Sequence, residues 1–279
     1  GVVGSALATL VGQACSAIAV IWYFLFTKDV PLRIRKRYFA LRPRFVGTIM
    51  AFGFPSFAMQ AGMAVVNFVL NYQLITYGAL SVIGAVDALA SIGVINRIAG
   101  FVVMPLVGTA IAIQPLLGYN YGARLIGRVR QTLWLGIALG ISIAFVEWLI
   151  IMLFPEAIVR AFGITHEALV EFTSFALRVQ FCVFPLVGFQ IVGSNYFQAT
   201  GQPAKSIFLT LTRQIIFLVP LLFILPHILP VIAPQFDGLD ALYFANPISD
   251  AVSISITIGF ILWEMRRLKR MAKGAIRPA

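Results

Sequence analysis

Charged residues are scarce in this 279-residue sequence. Asp, Glu, Lys and Arg together make up 11% of it, whereas soluble domains contain roughly 25%. Hydrophobic residues make up 60%, and the mean hydropathy is +0.95. So little charge, with so much apolar content, excludes an ordinary soluble domain and predicts an integral membrane protein.

The residues that catalysis and metal binding require are also few. The sequence has two cysteines and two histidines. Cys15 and Cys182 both lie within apolar runs, which disfavours a disulfide framework or a metal cluster. No HExxH motif, no pair of intramembrane acids and no serine with a nearby histidine occurs in the sequence. We therefore expect no enzyme activity, no metal and no cofactor, and an intramembrane enzyme is the less favoured alternative.

Long apolar runs dominate what is present. A transmembrane helix needs about 20 mostly apolar residues, and backbone groups in lipid must be satisfied within the segment. Seven runs meet this requirement, at residues 1–27, 47–75, 84–116, 131–154, 168–199, 206–230 and 241–263. The sequence therefore predicts an all-α integral membrane protein with seven transmembrane helices.

The formal net charge of +11 is concentrated in alternate loops. Basic residues crowd the first and third loops and the tail, whereas the outer loops 76–83 and 231–240 contain none and 155–167 contains only Arg160. By the positive-inside rule the basic side is cytoplasmic, so we expect a multi-pass protein of the cell (inner) membrane with a cytoplasmic carboxyl terminus. This placement argues against nucleic-acid binding. A specific anionic-lipid site is the alternative to a topology signal.

A faint internal repeat indicates how the spans are grouped. Residues 1–16 align with 238–253, with Gly1, Ala8, Ala14 and Ser16 matched by identical residues. The first span would then end one half of a longer protein, and the other six spans would form a complete second half. Since the sequence also starts without methionine, we expect about five further spans upstream.

Polar residues inside the spans are the first site candidates. In the second span, Asn67 and Asn71 each fall within about 20° of Gln60 at 100° per residue, one on either side. A stripe of this kind is expected to line a water-filled cavity, with hydrogen bonding between helices as the alternative.

Ionisable residues inside spans are candidates by default, because a charge at the bilayer centre is costly. Arg97, Glu147 and Arg178 lie in the outer halves of their spans, and a short loop joins the spans of Glu147 and Arg178. These residues are expected to form a structural ion pair or to act in ion coupling. Asp250 is deeper, and we expect it to be a polar residue between helices.

Several segments resemble the multidrug and toxic compound extrusion (MATE) transporters. The second-half signature of that family is similar to NRIAGFVVMPLVGTAIA at 96–112 with QPLLGYNYGA at 114–123. The last two helices of the family resemble YFQATGQPAKSIFLTLTRQIIFLVPLLFILP at 196–226 and GLDALYFANPISDAVS at 238–253. The segments follow the family's order through nearly the whole chain.

The resemblance implies a two-lobed, twelve-helix antiporter that exports cationic or amphipathic drugs or toxic metabolites in exchange for Na⁺ or H⁺ by alternating access. Residues 1–27 would be the last helix of the N-terminal lobe and 28–46 a basic cytoplasmic linker. Residues 47–263 would form the C-terminal six-helix lobe and 264–279 a basic cytoplasmic tail. The partners expected are small molecules, the lipid bilayer and the missing N-terminal lobe, and the protein is expected to be a monomer.

The sequence departs from one branch of that family. Members that resemble the sodium-coupled branch carry an acid on the seventh and tenth helices, and here the matching neighbourhoods are residues 60–63 and Phe189 to Gln190, without an acid. Gln190 thus joins Gln60, Asn67 and Asn71 as an expected cleft-lining residue. The runner-up is a flippase for lipid-linked oligosaccharides from the same superfamily, which would hold a diphosphate with several basic residues.

Overall fold

The computed structural model describes residues 2–26, 43–81 and 83–272. Nearly all of these residues are helical, and no strand occurs within them. The prediction of an all-α membrane fold is therefore confirmed. The helices are α1 (Val2–Phe26), α2 (Pro43–Gly78), α3 (Ala85–Gly122), α4 (Ile126–Leu153), α5 (Pro155–Ala161), α6 (Glu167–Phe181), α7 (Phe184–Ala199), α8 (Pro203–Leu211), a π-helical segment (Thr212–Leu218), α9 (Val219–Ile232) and α10 (Gly238–Ala272).

Within the described residues, five helices are long and apolar enough to cross a membrane, and α6 and α7 together make a sixth. These two helices are bent by 46° around Cys182 and Val183, where the sequence predicted one continuous span. α2 is 36 residues long and is additional to the six. The total of seven spans stays a prediction.

Two boundaries differ from the sequence-based expectation. α3 continues to Gly122 instead of ending near residue 116, because its helical hydrogen bonds continue as far as the one from Ala123 N to the Tyr119 carbonyl oxygen. The chain then turns at Arg124, which has a φ of 58°. α10 continues to Ala272, so the first part of the segment predicted as a tail is helical. Residues 28–42 of the predicted linker and 273–279 of the tail lie outside the described residues.

The chain divides into two compact units, Gly1–Phe54 and Pro55–Ala279. The first unit contains α1 and the start of α2. α1 has 25 residues, with no acid in its first turn and no base in its last. At about 1.5 Å per residue this helix is long enough to cross the hydrocarbon core of a bilayer.

In the second unit, α4 packs against α3 and α7. The contact between α4 and α7 depends on Gly140 and Gly188. A Cβ atom added at Gly188 would lie 2.3 Å from the carbonyl oxygen of Gly140, and one added at Gly140 would lie 3.1 Å from the oxygen of Gly188. Small residues allow membrane helices to approach closely where lipid provides no hydrophobic drive for association.

Proline residues within the helices remove backbone donors, and at Pro226 a side chain of another helix compensates. Pro226 lies inside α9, so the carbonyl of Leu222 loses its partner four residues along the helix. The buried side chain of Gln73 on α2 donates to that carbonyl oxygen, with an Nε2 to O distance of 2.9 Å. This hydrogen bond satisfies a carbonyl that would otherwise be unpaired in an apolar interior, and it ties α2 to α9.

Candidate functional site

The predicted polar stripe of α2 is exposed. Gln60, Asn67 and Asn71 are all accessible in the second unit. Asn67 Nδ2 donates to the carbonyl oxygen of Met63, one turn earlier, at 2.9 Å. Among the hydrogen bonds of the described residues, none joins the three stripe amides to another helix, so the interhelical alternative finds no support. The amide that does bond between helices is Gln73, which the sequence reasoning missed.

Next to this face lies a polar cavity with a volume of 290 Å³. It is formed by α7, α8 and the π-helical segment, with contributions from α2 and α3. Its lining residues are Met63, Val103, Val107, Gln190, Ile191, Ser194, Asn195, Gln198, Ser206, Leu209, Thr210, Arg213 and Gln214. Met63 is the residue that connects the cavity to the face of α2 on which the stripe lies.

Unpaired acceptors are concentrated in the cavity wall. The side-chain carbonyl oxygens of Gln190, Asn195 and Gln214 are buried and have no hydrogen-bond partner within the described part of the chain. Gln190 is anchored through its Nε2 atom, which donates to Ser253 Oγ at 2.9 Å. Buried polar atoms are normally satisfied, so these three oxygens are suited to accept hydrogen bonds from a ligand or water, or to coordinate a cation.

The one arginine among the lining residues is neutralised. Arg213 lies in the π-helical segment, and its Nε and Nη2 atoms donate to Asp250 Oδ1 and Oδ2 at 2.5 and 3.2 Å. Ser249 Oγ also donates to the carbonyl oxygen of Arg213 at 2.6 Å. Asp250, on α10, is buried. The forked pair fixes both side chains and leaves the cavity polar with little net charge. π-helical segments often occur at functional sites.

Glu147 and Arg178 are not brought together. Glu147 lines an apolar cavity of 340 Å³ with residues of α3 and α5, including Phe101 and Ile158. Arg178 is exposed on α6, and no ion pair between the two occurs in the described ranges. The expected ion pair is therefore absent, because Glu147 faces α3 and α5 and not α6. The Oε2 atom of Glu147 is buried and has no hydrogen-bond partner there. Arg97 is exposed on α3.

A buried acid that the sequence reasoning overlooked lies near the carboxyl end of α10. Glu264 has an exposed fraction of 0%, and its oxygens meet Arg267 Nη1 at 3.2 Å, Lys205 Nζ at 3.8 Å and Gln202 Nε2 at 3.3 Å. Tyr196 OH also donates to Glu264 at 3.4 Å. The available signal was that Glu264 is the one acid in the sequence after Asp250. The cluster joins α7, α8 and α10 at the basic end of the unit.

A sequence profile of the MatE family matches residues 55–224, which is more than half of the chain. The chain belongs to the MatE family. This membership confirms the family expectation that was drawn from the resemblance. The matched region contains α3, α4, α5, α6, α7 and α8 in full.

Relatives and solved structures agree with the MatE assignment. The chain is 27% identical over 224 residues to the multidrug export protein MepA of Staphylococcus aureus (strain N315), covering 80% of the chain and 47% of MepA. A structure of the MATE multidrug transporter DinF-BH shares 33% identity, with a TM-score of 0.75, 96% of the chain and 56% of that transporter covered. An outward-facing MATE transporter of the MOP superfamily gives a TM-score of 0.77 at 25% identity, covering 98% of the chain and 57% of that transporter. The chain thus spans about half the length of the relatives that it matches.

Proposed function

We propose that this chain is the C-terminal portion of a multidrug efflux antiporter, which exports cationic or amphipathic small molecules in exchange for Na⁺ or H⁺ by alternating access. The observation that carries the proposal is the junction at Met63 between the exposed amide stripe of α2 and the polar cavity. The missing N-terminal lobe would close the other side of the cleft, and the basic ends of the helices would face the cytoplasm.

The chemistry of the cleft favours broad recognition. Amide and hydroxyl groups can donate to or accept from varied ligands, and Val103, Val107 and Leu209 provide apolar surface in the same cavity. Because Arg213 is paired with Asp250, no fixed net charge holds a ligand tightly. A carrier must release what it binds, so moderate and adaptable contacts suit transport better than one strong ion pair.

Ion coupling fits the same region. The free carbonyl oxygens of Gln190, Asn195 and Gln214 are suitable ligands for Na⁺, and the Asp250 carboxylate can accept a proton from a path through the cavity. An ion that binds one state of the carrier better than the other shifts the equilibrium between them by its difference in affinity. The proposal includes exchange of the exported molecule for either Na⁺ or H⁺. Coupling to Na⁺ requires a Na⁺ gradient to drive export, and coupling to H⁺ requires a H⁺ gradient.

The flippase alternative is less well supported by the charges. A diphosphate carrier needs several basic groups in its cleft, but Arg97 and Arg178 are exposed and are not among the lining residues of the cavity. Arg213 is bonded to Asp250 through two of its nitrogen atoms. A drug-like cation also fits the free oxygen acceptors better than a phosphate, which itself offers acceptors.

The test uses the full-length transporter with single cysteines in a background that lacks Cys15 and Cys182, which are both exposed. Cysteines at positions 60, 67 and 71 should react with a membrane-impermeant maleimide, and a transported lipophilic cation such as ethidium should protect them. The matched controls are cysteines at Val65 and Val69, which lie off the stripe on the same helix. If none of the five positions is labelled, or if the cation does not reduce the labelling of positions 60, 67 and 71, these residues do not line the cleft.

A further inference from the structure

A groove with a volume of 470 Å³ lies towards the basic end of the second unit and shares no lining residue with the polar cavity. It is lined by Lys205 of α8 and by Ile256, Gly259, Phe260 and Trp263 of α10. The spacing of the α10 residues places them on one side of that helix. The groove is thus an apolar channel with a single ammonium group.

The floor of the groove is open at Gly259. A Cβ atom added there would meet nothing within 4 Å, although the residue lies inside a long helix. One wall is fixed by Phe260, whose ring lies 5.8 Å from that of Phe208 and 6.2 Å from that of Phe197. A rigid aromatic wall beside a glycine floor leaves a slot that can hold a narrow apolar chain.

Lys205 is held at one end of this slot. Its Nζ atom lies 4.2 Å from the centre of the Trp263 ring and 2.5 Å from Gln202 Oε1. The Lys205 side chain is 27% exposed, so the ammonium group is still reachable. Tryptophan is enriched where membrane meets water, and Trp263 is 53% exposed. The slot therefore runs from the apolar depth of the membrane to a positive group at the interface.

The charges around Lys205 do not cancel. Glu264 is the one carboxylate in the cluster, and it is shared between Lys205 and Arg267, which leaves one net positive charge. Three further basic residues, Arg266, Lys269 and Arg270, are exposed in the next turns. None of the three forms an ion pair within residues 2–26, 43–81 and 83–272. The end of the slot is complementary to an anionic group.

We propose that this groove binds an anionic phospholipid, with an acyl chain in the slot over Gly259 and the phosphate beside Lys205 and the basic end of α10. Basic pockets between transmembrane helices on the cytoplasmic side bind anionic headgroups, and burial of acyl methylenes adds affinity. The proposal needs only a membrane-embedded chain, and it does not depend on which substrate the transporter exports.

The experiment measures thermal stability and lipid retention of the full-length transporter in detergent. A ligand that binds the folded state alone raises the Tm. Added phosphatidylglycerol should raise the Tm more than phosphatidylcholine with the same acyl chains, and native mass spectrometry should detect phosphatidylglycerol bound to the protein. A high-salt wash should weaken the effect, because the headgroup contact is electrostatic.

Two variants locate the site, and one controls for non-specific changes. Gly259→Leu fills the slot and should weaken the apparent affinity for phosphatidylglycerol about tenfold, since it displaces two or so methylenes of the acyl chain. Lys205→Gln removes one charge and should weaken it about fivefold. Gly127→Leu is the control, because Gly127 is exposed near the basic end of α4 and a Cβ atom there also meets nothing within 4 Å.

The expected pattern is loss of the phosphatidylglycerol effect in Gly259→Leu and its retention in Gly127→Leu. Because Lys205 contacts Glu264, the Lys205→Gln protein is first compared with wild type without added lipid, and only the further shift caused by lipid is scored. Equal stabilisation by both lipids in wild type, or an unchanged phosphatidylglycerol effect in Gly259→Leu, overturns the proposal. Retention of a protein or peptide instead of lipid in the wild-type spectra also overturns it.

Discussion

The close contact between α4 and α7 can be tested with a single methyl group. In Gly188→Ala, the new Cβ atom would lie 2.3 Å from the Gly140 carbonyl oxygen and 2.5 Å from its carbon. Ordinary van der Waals contact begins at 3.4 Å, so the first distance is 1.1 Å too short (3.4 minus 2.3). Both obstructing atoms are backbone, so no side chain can move aside, and the helices must separate.

The size of the effect follows from two opposing terms. Overpacking of this kind costs about 1–3 kcal/mol, whereas Gly→Ala inside a helix gains about 0.8–1 kcal/mol from helix propensity. The matched control is Gly93→Ala in α3, where a Cβ atom meets nothing within 4 Å. Both variants gain the propensity term, so their difference isolates the clash. We expect Gly188→Ala to be less stable than Gly93→Ala by about 1–3 kcal/mol.

The assay is thermal unfolding of the full-length protein in detergent, followed by the fraction that stays monodisperse after heating. Gly188→Ala should have a lower apparent Tm than wild type and Gly93→Ala. The apparent Tm of Gly140→Ala should lie between those of Gly188→Ala and Gly93→Ala. Its Cβ atom would be 3.1 Å from the Gly188 oxygen, which is a milder conflict. A Gly188→Ala protein as stable as Gly93→Ala would refute the close approach of α4 and α7.

Substitutions at three further residues test other parts of the fold. Gln73→Leu should destabilise the protein by about 1–3 kcal/mol, because it leaves the Leu222 carbonyl buried without a partner; equal stability of Gln73→Leu and wild type in the same heating assay would contradict this. Glu264→Gln should cost about 3–5 kcal/mol, because Arg267 loses its buried counter-charge, and Glu264→Asp, which keeps the charge, should recover part of the loss. Glu147→Gln should leave stability unchanged or raise it, since it replaces a carboxylate in an apolar cavity whose buried Oε2 atom has no hydrogen-bond partner among the described residues; a marked fall in Tm would indicate an ionic partner for Glu147.

The all-α membrane architecture could be predicted because the pattern of hydropathy along the sequence is enough to locate the long apolar helices. A chain in lipid must bury its backbone polarity in helices, so apolar runs such as 84–116 and 131–154 correspond to α3 and α4. The ends were less predictable. α3 continues to Gly122, although glycine has a low helix propensity, and the turn is made at Arg124.

The polar face of α2 could also be predicted from the sequence, since helical periodicity groups Gln60, Asn67 and Asn71. The spatial partners were not. Arg213 reaches Asp250 across 37 positions, and the sequence contains no pattern that joins them. The predicted pair of Glu147 and Arg178 relied on nearness in the chain, which does not fix the direction in which each side chain points.

Transport by the reconstituted full-length protein tests the central claim most directly. Proteoliposomes receive an imposed Na⁺ or H⁺ gradient, and the accumulation of ethidium, a fluorescent lipophilic cation, is followed with time. We predict ethidium accumulation against its own gradient that stops when an ionophore dissipates the driving ion gradient. The accumulation should also weaken when Asn67 and Gln190 are replaced by leucine. The account would be contradicted if ethidium movement were independent of both ion gradients. It would also be contradicted if the protein moved no ethidium but transferred a lipid-linked oligosaccharide across the bilayer.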